Sequence, residues 1–130
     1  MELSARSFAD ILVATPTGRI DFESAAQFGA ALQPVLDPAH GDTSGLLVDL
    51  AGVDYISSIG LRVLMDAAKQ MRGRGRSIAV AGLQPVVAEI FAISRFHKVI
   101  EVFPTVRDAL AKLSAPALAA FDAHTLASRP

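Results

Sequence analysis

From Gly45 onward, short and continuously apolar runs alternate with segments whose apolar residues recur every three or four positions. The apolar runs are typical of strands buried on both faces of a sheet, and the recurring spacing is typical of one face of a helix. The strand-like runs are GLLVDL, SIAVAG and KVIEVF, and the helical segments begin near Ser58, Pro85 and Thr105. This order predicts an α/β fold with a largely parallel sheet and helices packed on its faces.

The N-terminal third adds a strand and a helix to this pattern. The run ILVATPTGRI, Ile11 to Ile20, is rich in apolar and β-branched residues and predicts a strand. A helix follows, with Asp21 or Ser24 as its N-cap, and a polar loop is predicted from Pro38 to Gly45. The apolar face of that helix would consist of Ala25, Phe28, Leu32 and Leu36. The first strands need not be parallel to the others, so we expect a mixed sheet of four to five strands.

A single domain is expected for a chain of 130 residues. We assign residues 1–114 to this domain and residues 115–130 to a C-terminal extension. The extension is rich in alanine, and its composition is consistent either with a weakly ordered tail or with an added helix that starts near Pro116. One face of such a helix would carry Leu118, Phe121 and Leu126.

Composition excludes several kinds of function. A net charge of −1 argues against binding to nucleic acid, and the absence of cysteine excludes disulfides, thiol catalysis and cysteine-built metal sites. The N-terminus lacks the pattern of a signal peptide, and no apolar run approaches the roughly 18 residues that cross a bilayer. The histidines stand in no metal-binding or acid–base spacing, and no phosphate-binding loop is present. We therefore expect a cytoplasmic protein without metal, cofactor, catalytic residue or membrane insertion.

The segment VDYISSIGLRVLM, Val53 to Met65, places two serines between a strand-like run and a helical run. If Ser58 opens the helix, one face would meet the sheet, while Ile59 and Val63 would project to solvent beside Arg62 and Asp66. The sheet-facing residues would be Leu61, Leu64, Met65, Ala68 and Met71. The two exposed aliphatic residues are either ordinary surface residues or the centre of a partner-binding patch.

Two roles are open to Ser58. Serine is a preferred N-cap, because its oxygen accepts a hydrogen bond from an N–H group of the first turn. The same helix end would accommodate a phosphate, which adds about −1.5 to −2 charges. A buried, uncompensated dianion costs several kcal/mol, and each 1.4 kcal/mol is about tenfold in affinity, so phosphorylation would switch a complex off. A hydrolase nucleophile is disfavoured, because Ile56 takes the first glycine position of Gly-x-Ser-x-Gly and no histidine stands in a recognisable acid–base spacing.

The segment from Leu46 to Leu83 resembles the centre of bacterial STAS domains, in particular those of anti-sigma factor antagonists. Their signature is a strand that ends in Asp-Leu, an aromatic or apolar pair, and Asp-Ser-x-Gly-Leu at the start of a helix. The matching residues are Asp49-Leu50, Tyr55-Ile56 and Ser58-Ile59-Gly60-Leu61. The sequence GRID, Gly18 to Asp21, resembles the Gly-x-Leu/Ile-Asp that brings an aspartate beside the serine. The resemblance extends over about residues 8–113.

The resemblance implies a partner-switching protein rather than an enzyme. In this family the serine at the position of Ser58 is phosphorylated by a GHKL-type serine kinase that is also the anti-sigma factor. The unphosphorylated antagonist binds that kinase and releases the sigma factor, which regulates transcription, and a PP2C-type phosphatase removes the phosphate. We expect Asp21 to lie near the phosphoserine and help position the kinase or its Mg²⁺. Gly60 would allow close approach of the partner's backbone.

One departure from the family pattern leaves an alternative open. The acidic residue that often precedes the acceptor is Ser57 here, which makes Ser57 a second candidate acceptor. The alternative function is that of a phosphorylation-independent STAS subunit in a lipid-transport or signalling scaffold assembly. In that case Ile59 and Val63 would form a permanent contact, and Ser58 would serve only as an N-cap.

Overall fold

The computed structural model describes residues 1–37 and 43–127. The elements in chain order are β1 (Glu2–Phe8), β2 (Ile11–Ile20), α1 (Ser24–Leu36), β3 (Gly45–Asp49), β4 (Val53–Ile56), α2 (Ser58–Gly73), β5 (Ser77–Ala81), α3 (Pro85–Ile93), β6 (Glu101–Phe103), α4 (Val106–Leu113) and α5 (Ala115–Ala127). Most of the loop predicted from Pro38 to Gly45 lies outside the described residues, which resume at Thr43.

The described strands form one six-stranded mixed sheet in the order β1-β2-β3-β5-β6, with β4 paired to β2. β1 runs antiparallel to β2, and the other pairs are parallel, so the prediction of a mixed α/β sheet is confirmed. The strand count exceeds the predicted four to five. The sequence pattern does not predict β1, because this edge strand is mostly exposed and carries no apolar alternation.

Strand β2 pairs with two different strands along its length. Its first half pairs with β3, and its last residues pair with β4, with an irregularity between Gly18 and Arg19. Gly18 has φ of 104°, a left-handed conformation that glycine adopts without strain. The change of partner brings the end of β4, and therefore the start of α2, beside the end of β2.

Alternate residues of the central strands face two separate apolar layers. On one face the sheet packs against α1, α2 and α3, and on the other face it packs against α4 and α5. The predicted buried face of α1 is confirmed at all four positions, Ala25, Phe28, Leu32 and Leu36. The predicted start of a helix near Thr105 is confirmed at α4, where the Thr105 hydroxyl accepts from the Asp108 N–H at 3.0 Å and caps the helix.

The C-terminal extension contains a helix, α5, that docks on the domain. The rings of Phe8 and Phe121 meet edge to face at 5.4 Å, and the guanidinium of Arg107 makes two 3.1 Å hydrogen bonds to the carboxylate of Asp122. The predicted apolar face is wrong at Leu126, which is 64% exposed near the end of the helix. The residue of α5 that faces the domain is instead Ala117, which is fully buried.

The basic turn RGRGR, Arg72 to Arg76, contacts the rest of the domain through two of its arginines. Arg74 donates to the carbonyl of Leu36 at the end of α1, and Arg72 donates to the carbonyl of Val99. These side chains satisfy backbone acceptors that a helix end and a loop leave open. The run KVIEVF is a strand only from Glu101 to Phe103, since a 3₁₀ turn occupies Phe96–Lys98.

Candidate functional site

Ser57, not Ser58, caps the N-terminus of α2. Ser57 has extended backbone angles, and its Oγ accepts a hydrogen bond from the N–H of Gly60 at 3.1 Å. Its carbonyl accepts the N–H of Leu61 at 2.9 Å, the first bond of the helix. The expectation that Ser58 acts as the N-cap is therefore wrong by one position, because a cap residue needs non-helical backbone angles and Ser58 is already helical.

Ser58 occupies the first helical position and is exposed. Its hydroxyl makes no hydrogen bond to any of the described residues. The capping bond of Ser57 leaves the N–H groups of Ser58 and Ile59 without an acceptor in the described part of the chain. An exposed hydroxyl next to free N–H donors at a helix N-terminus is a chemically suitable place for an added phosphate.

The end of β2 lies directly beside the start of α2. Ile20 pairs with Ile56 in the parallel register of β2 and β4, and the N–H of Ser57 donates to the carbonyl of Ile20 at 2.7 Å. The residues that follow each strand, Asp21 and Ser57, therefore leave the same edge of the sheet. The structure thus brings the predicted neighbour Asp21 to the edge that carries Ser58.

The carboxylate of Asp21 is already engaged within its own turn. Its Oδ1 accepts from the N–H of Ser24 at 2.9 Å, and the Oγ of Ser24 accepts from the N–H of Asp21 at 2.9 Å. Helix α1 begins at Ser24 with Glu23 at the cap position, so neither predicted residue is the N-cap itself, but the two close the turn that leads into the helix. The hydrogen bonds from Ser24 hold the pKa of Asp21 below its usual 3.8, so the carboxylate is charged at neutral pH.

A cation lies on the same strand end. The guanidinium of Arg19 stands 4.1 Å from the centre of the Tyr55 ring, and its Nε is 3.8 Å from Oδ2 of Asp21. Both members of that ion pair are well exposed, so the pair adds little to stability. The edge of the sheet that carries Ser58 therefore presents one negative and one positive side chain.

Gly60 is buried and packs against the two strands that precede the site. A Cβ at this position would lie 2.7 Å from Cγ2 of Ile20 and 2.8 Å from Cγ1 of Ile56. The expectation that Gly60 admits a partner's backbone is therefore replaced by a contact within the chain. The glycine lets the first turn of α2 approach the ends of β2 and β4 closely.

The predicted patch on α2 is only partly exposed. Ile59 is 36% exposed, and Arg62 and Asp66 face solvent as predicted. Val63 does not project to solvent, because it is half-buried against α1, where a Cβ on Gly29 would lie 3.6 Å from its Cγ2. The groove between α1 and α2 at this point is bridged by the amides of Gln33 and Gln70, whose nitrogen and oxygen are 3.2 Å apart.

An exposed aromatic residue extends the site beyond the predicted residues. Phe22 is 76% exposed and follows Asp21 in the turn that Ser24 caps. Aromatic residues are enriched in protein interfaces, which makes this exposed ring a candidate contact for a partner. The sequence signal was the run Asp-Phe-Glu-Ser, in which an aromatic residue stands inside a capping box where no apolar face of the helix requires it.

The described residues contain no group of three or more histidine, aspartate or glutamate side chains placed to hold a metal ion. No helix in residues 1–37 and 43–127 is both long and apolar enough to cross a membrane. The chemistry of the site is thus that of one exposed hydroxyl, a charged edge and neighbouring apolar side chains.

The sequence itself places the chain in a known domain family. Residues 2–109 match the sequence model of the STAS domain. The match covers most of the chain, and this protein belongs to the STAS domain family. α5 follows the matched residues and is an addition to the family fold.

Relatives agree with this assignment. BtrV of Bordetella bronchiseptica, named as an anti-sigma factor antagonist, is 34% identical over 104 residues, which cover 80% of this chain and 84% of BtrV. The crystal structure of an anti-sigma factor antagonist from Mycobacterium paratuberculosis superposes with a TM-score of 0.77 at 22% identity, over 86% of this chain and 92% of that chain. Unphosphorylated SpoIIAA, the Bacillus cell fate determinant, gives a TM-score of 0.69 at 12% identity, over 85% and 95% of the two chains.

Proposed function

We propose that this protein is an anti-sigma factor antagonist that acts by partner switching. In its unphosphorylated form it binds a GHKL-type anti-sigma serine kinase, and phosphorylation of Ser58 by that kinase ends the binding. A PP2C-type phosphatase then restores the binding form. The protein is a cytoplasmic ligand and substrate of enzymes, and it catalyses no reaction itself.

The observation that carries the proposal is the division of labour between the two serines. Ser57 caps α2 by accepting a hydrogen bond from the Gly60 N–H at 3.1 Å. The Ser58 hydroxyl is therefore not needed for the cap, and Ser58 is exposed. A kinase needs such an accessible hydroxyl. Phosphorylation of Ser57 would instead modify the oxygen that caps α2. This difference favours Ser58 as the acceptor. The name of BtrV, an anti-sigma factor antagonist, supports the same role.

The switch follows from the electrostatics of the helix end. A phosphate on Ser58 would lie at the positive end of α2, where the free N–H groups favour it, so the domain itself stays folded. The same phosphate would place about −1.5 to −2 charges in any interface that covers Ser58. Desolvating that charge without a matching cation costs several kcal/mol, which lowers affinity by two orders of magnitude or more.

In this proposal Asp21 acts through its negative charge, because one of its two carboxylate oxygens is already hydrogen-bonded. Its Oδ1 is held by Ser24, and its carboxylate remains ionised at the edge that carries Ser58. The Oδ2 atom lies 3.8 Å from Nε of Arg19, and the Asp21 side chain is 41% exposed. We assign to this carboxylate the positioning of the kinase or its Mg²⁺, and an unfavourable interaction with the phosphate once it is attached.

The first experiment is phosphosite mapping of the protein from its own cells under resting and stressed conditions. We expect one phosphate on Ser58, with an occupancy that differs between the conditions and disappears in Ser58→Ala. Ser57→Asp is the matched control, since it keeps a cap and removes the second hydroxyl. Phosphate on Ser57 alone would reassign the acceptor.

Binding to the purified kinase distinguishes the switch from a permanent scaffold. Ser58→Asp should lower the affinity at least about tenfold, and Ser58→Ala should keep it. A protein that carries no phosphate in any condition, and whose partner tolerates Ser58→Asp, would instead be a STAS subunit that works without phosphorylation.

A further inference from the structure

A cleft on the opposite face of the sheet from α2 has no part in the proposed switch. It has a volume of about 460 Å³ and lies between β1, β2, the end of β3 and α5. We call it the α5 cleft. Its apolar lining includes Phe8, Val13 and Phe121, and its polar lining includes Arg6, Asp49 and His124. This volume is within the range of small-molecule sites.

The wall of the cleft is supplied by the added helix. Phe121 and His124 belong to α5, which follows the residues 2–109 that match the STAS family. The helix is held at its start by the hydroxyl of Ser114, which donates to Oδ1 of Asp10 at 2.5 Å, and at its middle by the Arg107–Asp122 pair. A wall fixed at two points forms a cleft before any ligand arrives, which lowers the cost of binding.

One end of the cleft is cationic. Nη1 of Arg6 donates to the imidazole of His124 and lies 2.8 Å from Nε2. No carboxylate of the described residues is within ion-pair distance of Arg6. A guanidinium has five N–H donors, so donors remain for a bidentate carboxylate even while His124 accepts from one nitrogen.

The remaining lining restricts the ligand further. Val13, Phe8 and Phe121 offer an apolar floor beside the cation, which suits the body of an aromatic or branched aliphatic molecule. Asp49 lines the same cleft and repels negative charge near it, so the ligand can carry an anionic group only where it contacts Arg6. A nucleotide or another polyanion therefore fits the charge of the cleft poorly, whereas a single carboxylate fits it well.

We propose that the α5 cleft binds a small organic monoanion. Its carboxylate accepts hydrogen bonds from Arg6, and its apolar body packs on Val13 and Phe121. This site is separate from the phosphoacceptor edge and goes beyond the partner switch. The site depends on α5, which lies outside the residues 2–109 that match the family.

Phenylbutyrate is a suitable probe, because it joins one carboxylate to one apolar ring. Titration of the isotope-labelled full chain, followed by amide NMR, should give saturable shifts at Arg6, Val13 and Phe121. The uncharged analogue phenylbutanamide should bind at least about tenfold more weakly, since it lacks the charge-assisted hydrogen bonds. Arg6→Gln should weaken phenylbutyrate by a similar factor and should leave the amide unchanged.

Two controls decide whether the effect belongs to the cleft. Arg62→Gln removes the same charge from the exposed surface of α2 and should leave the affinity within about twofold. Thr15→Phe fills the cleft from a strand position that accepts aromatic residues, and it should abolish binding while the protein stays folded. Absence of binding, shifts confined to the separate apolar cavity around Phe91 and Val102, or equal affinity in Arg6→Gln would overturn the proposal.

Discussion

The amide nitrogen of Ser57 lies 2.7 Å from the carbonyl oxygen of Ile20. This hydrogen bond continues the pairing of β4 with β2 by one residue and joins the cap of α2 to the end of the neighbouring strand. Strands β2 and β4 thus end side by side. The turn with the exposed Phe22 follows β2, and the start of α2 with the exposed Ser58 follows β4.

The capping role of Ser57 predicts a clear difference between the two serines in stability. Ser57→Ala should lower the free energy of unfolding by about 1 kcal/mol, because the Gly60 N–H loses its acceptor. Ser57→Asp should keep the stability of the wild type, since aspartate caps equally well. Ser58→Ala should change it by less than about 0.5 kcal/mol, as expected for an exposed residue without partners. Urea unfolding measures all three, and equal losses at both serines would contradict the assignment of the cap.

The two glycines of α2 should respond in opposite ways to an added methyl group. Gly60→Ala brings a Cβ within 2.8 Å of Ile20 and Ile56, so we expect a loss of about 1–3 kcal/mol from overpacking. Gly73→Ala meets nothing within 4 Å, and alanine is the better helix former, so its stability should be unchanged or up to about 1 kcal/mol higher. If Gly60→Ala unfolds like the wild type, the close approach of α2 to the strands is not needed for stability.

The alternation of apolar runs predicted most of the fold because buried strands and amphipathic helices impose different periods. The face of α1 and the cap of α4 follow from such local rules. β1 escaped prediction, since an exposed edge strand is defined by its pairing with β2 and not by its own pattern. The docking of α5 likewise depends on Phe8 and Arg107, which lie far away in sequence.

The candidate site was located by motif, but its details depended on backbone geometry. Whether Ser57 or Ser58 caps the helix is decided by one pair of backbone angles, which two adjacent serines do not reveal. Val63 was placed on the exposed side of a helical wheel, yet α1 packs beside α2 and covers it. Phe22 was missed, because exposure of a single aromatic residue is a property of the folded surface.

Asp10 should make the docking of α5 sensitive to acid. Hydrogen bonds from Ser114 and Ser44 hold the pKa of Asp10 below its usual 3.8 in the folded protein. A lowered pKa means that the ionised form favours folding, so its contribution is fully present above about pH 4 and is lost as the pH falls through the folded-state value. The stability difference between wild type and Asp10→Ala should therefore be constant near neutral pH and shrink in acid. Urea unfolding from neutral pH down to about pH 3 measures this difference. In a protein that also carries Ser44→Ala and Ser114→Ala, the Asp10→Ala substitution should cost less stability at neutral pH, because Asp10 has lost its two hydrogen-bond donors.

Phe22 should act as an anchor for the kinase that phosphorylates Ser58. Because this ring is exposed on a rigid turn beside the acceptor, Phe22→Ala should lower affinity about tenfold or more and leave thermal stability unchanged. Ile93→Ala is the matched control, since Ile93 is equally exposed at 76% but lies at the end of α3. Calorimetric titration of the unphosphorylated chain into the purified kinase measures both.

Ile59 and Val63 should separate binding from folding on the same helix. Ile59→Asp adds charge to an exposed position and should weaken the complex without a loss of stability. Val63→Asp would bury a carboxylate against Gly29 and should also destabilise the free protein, so only the Ile59 variant reports on the interface alone. Full kinase affinity in both Phe22→Ala and Ile59→Asp would contradict the proposed contact surface and place the interface elsewhere.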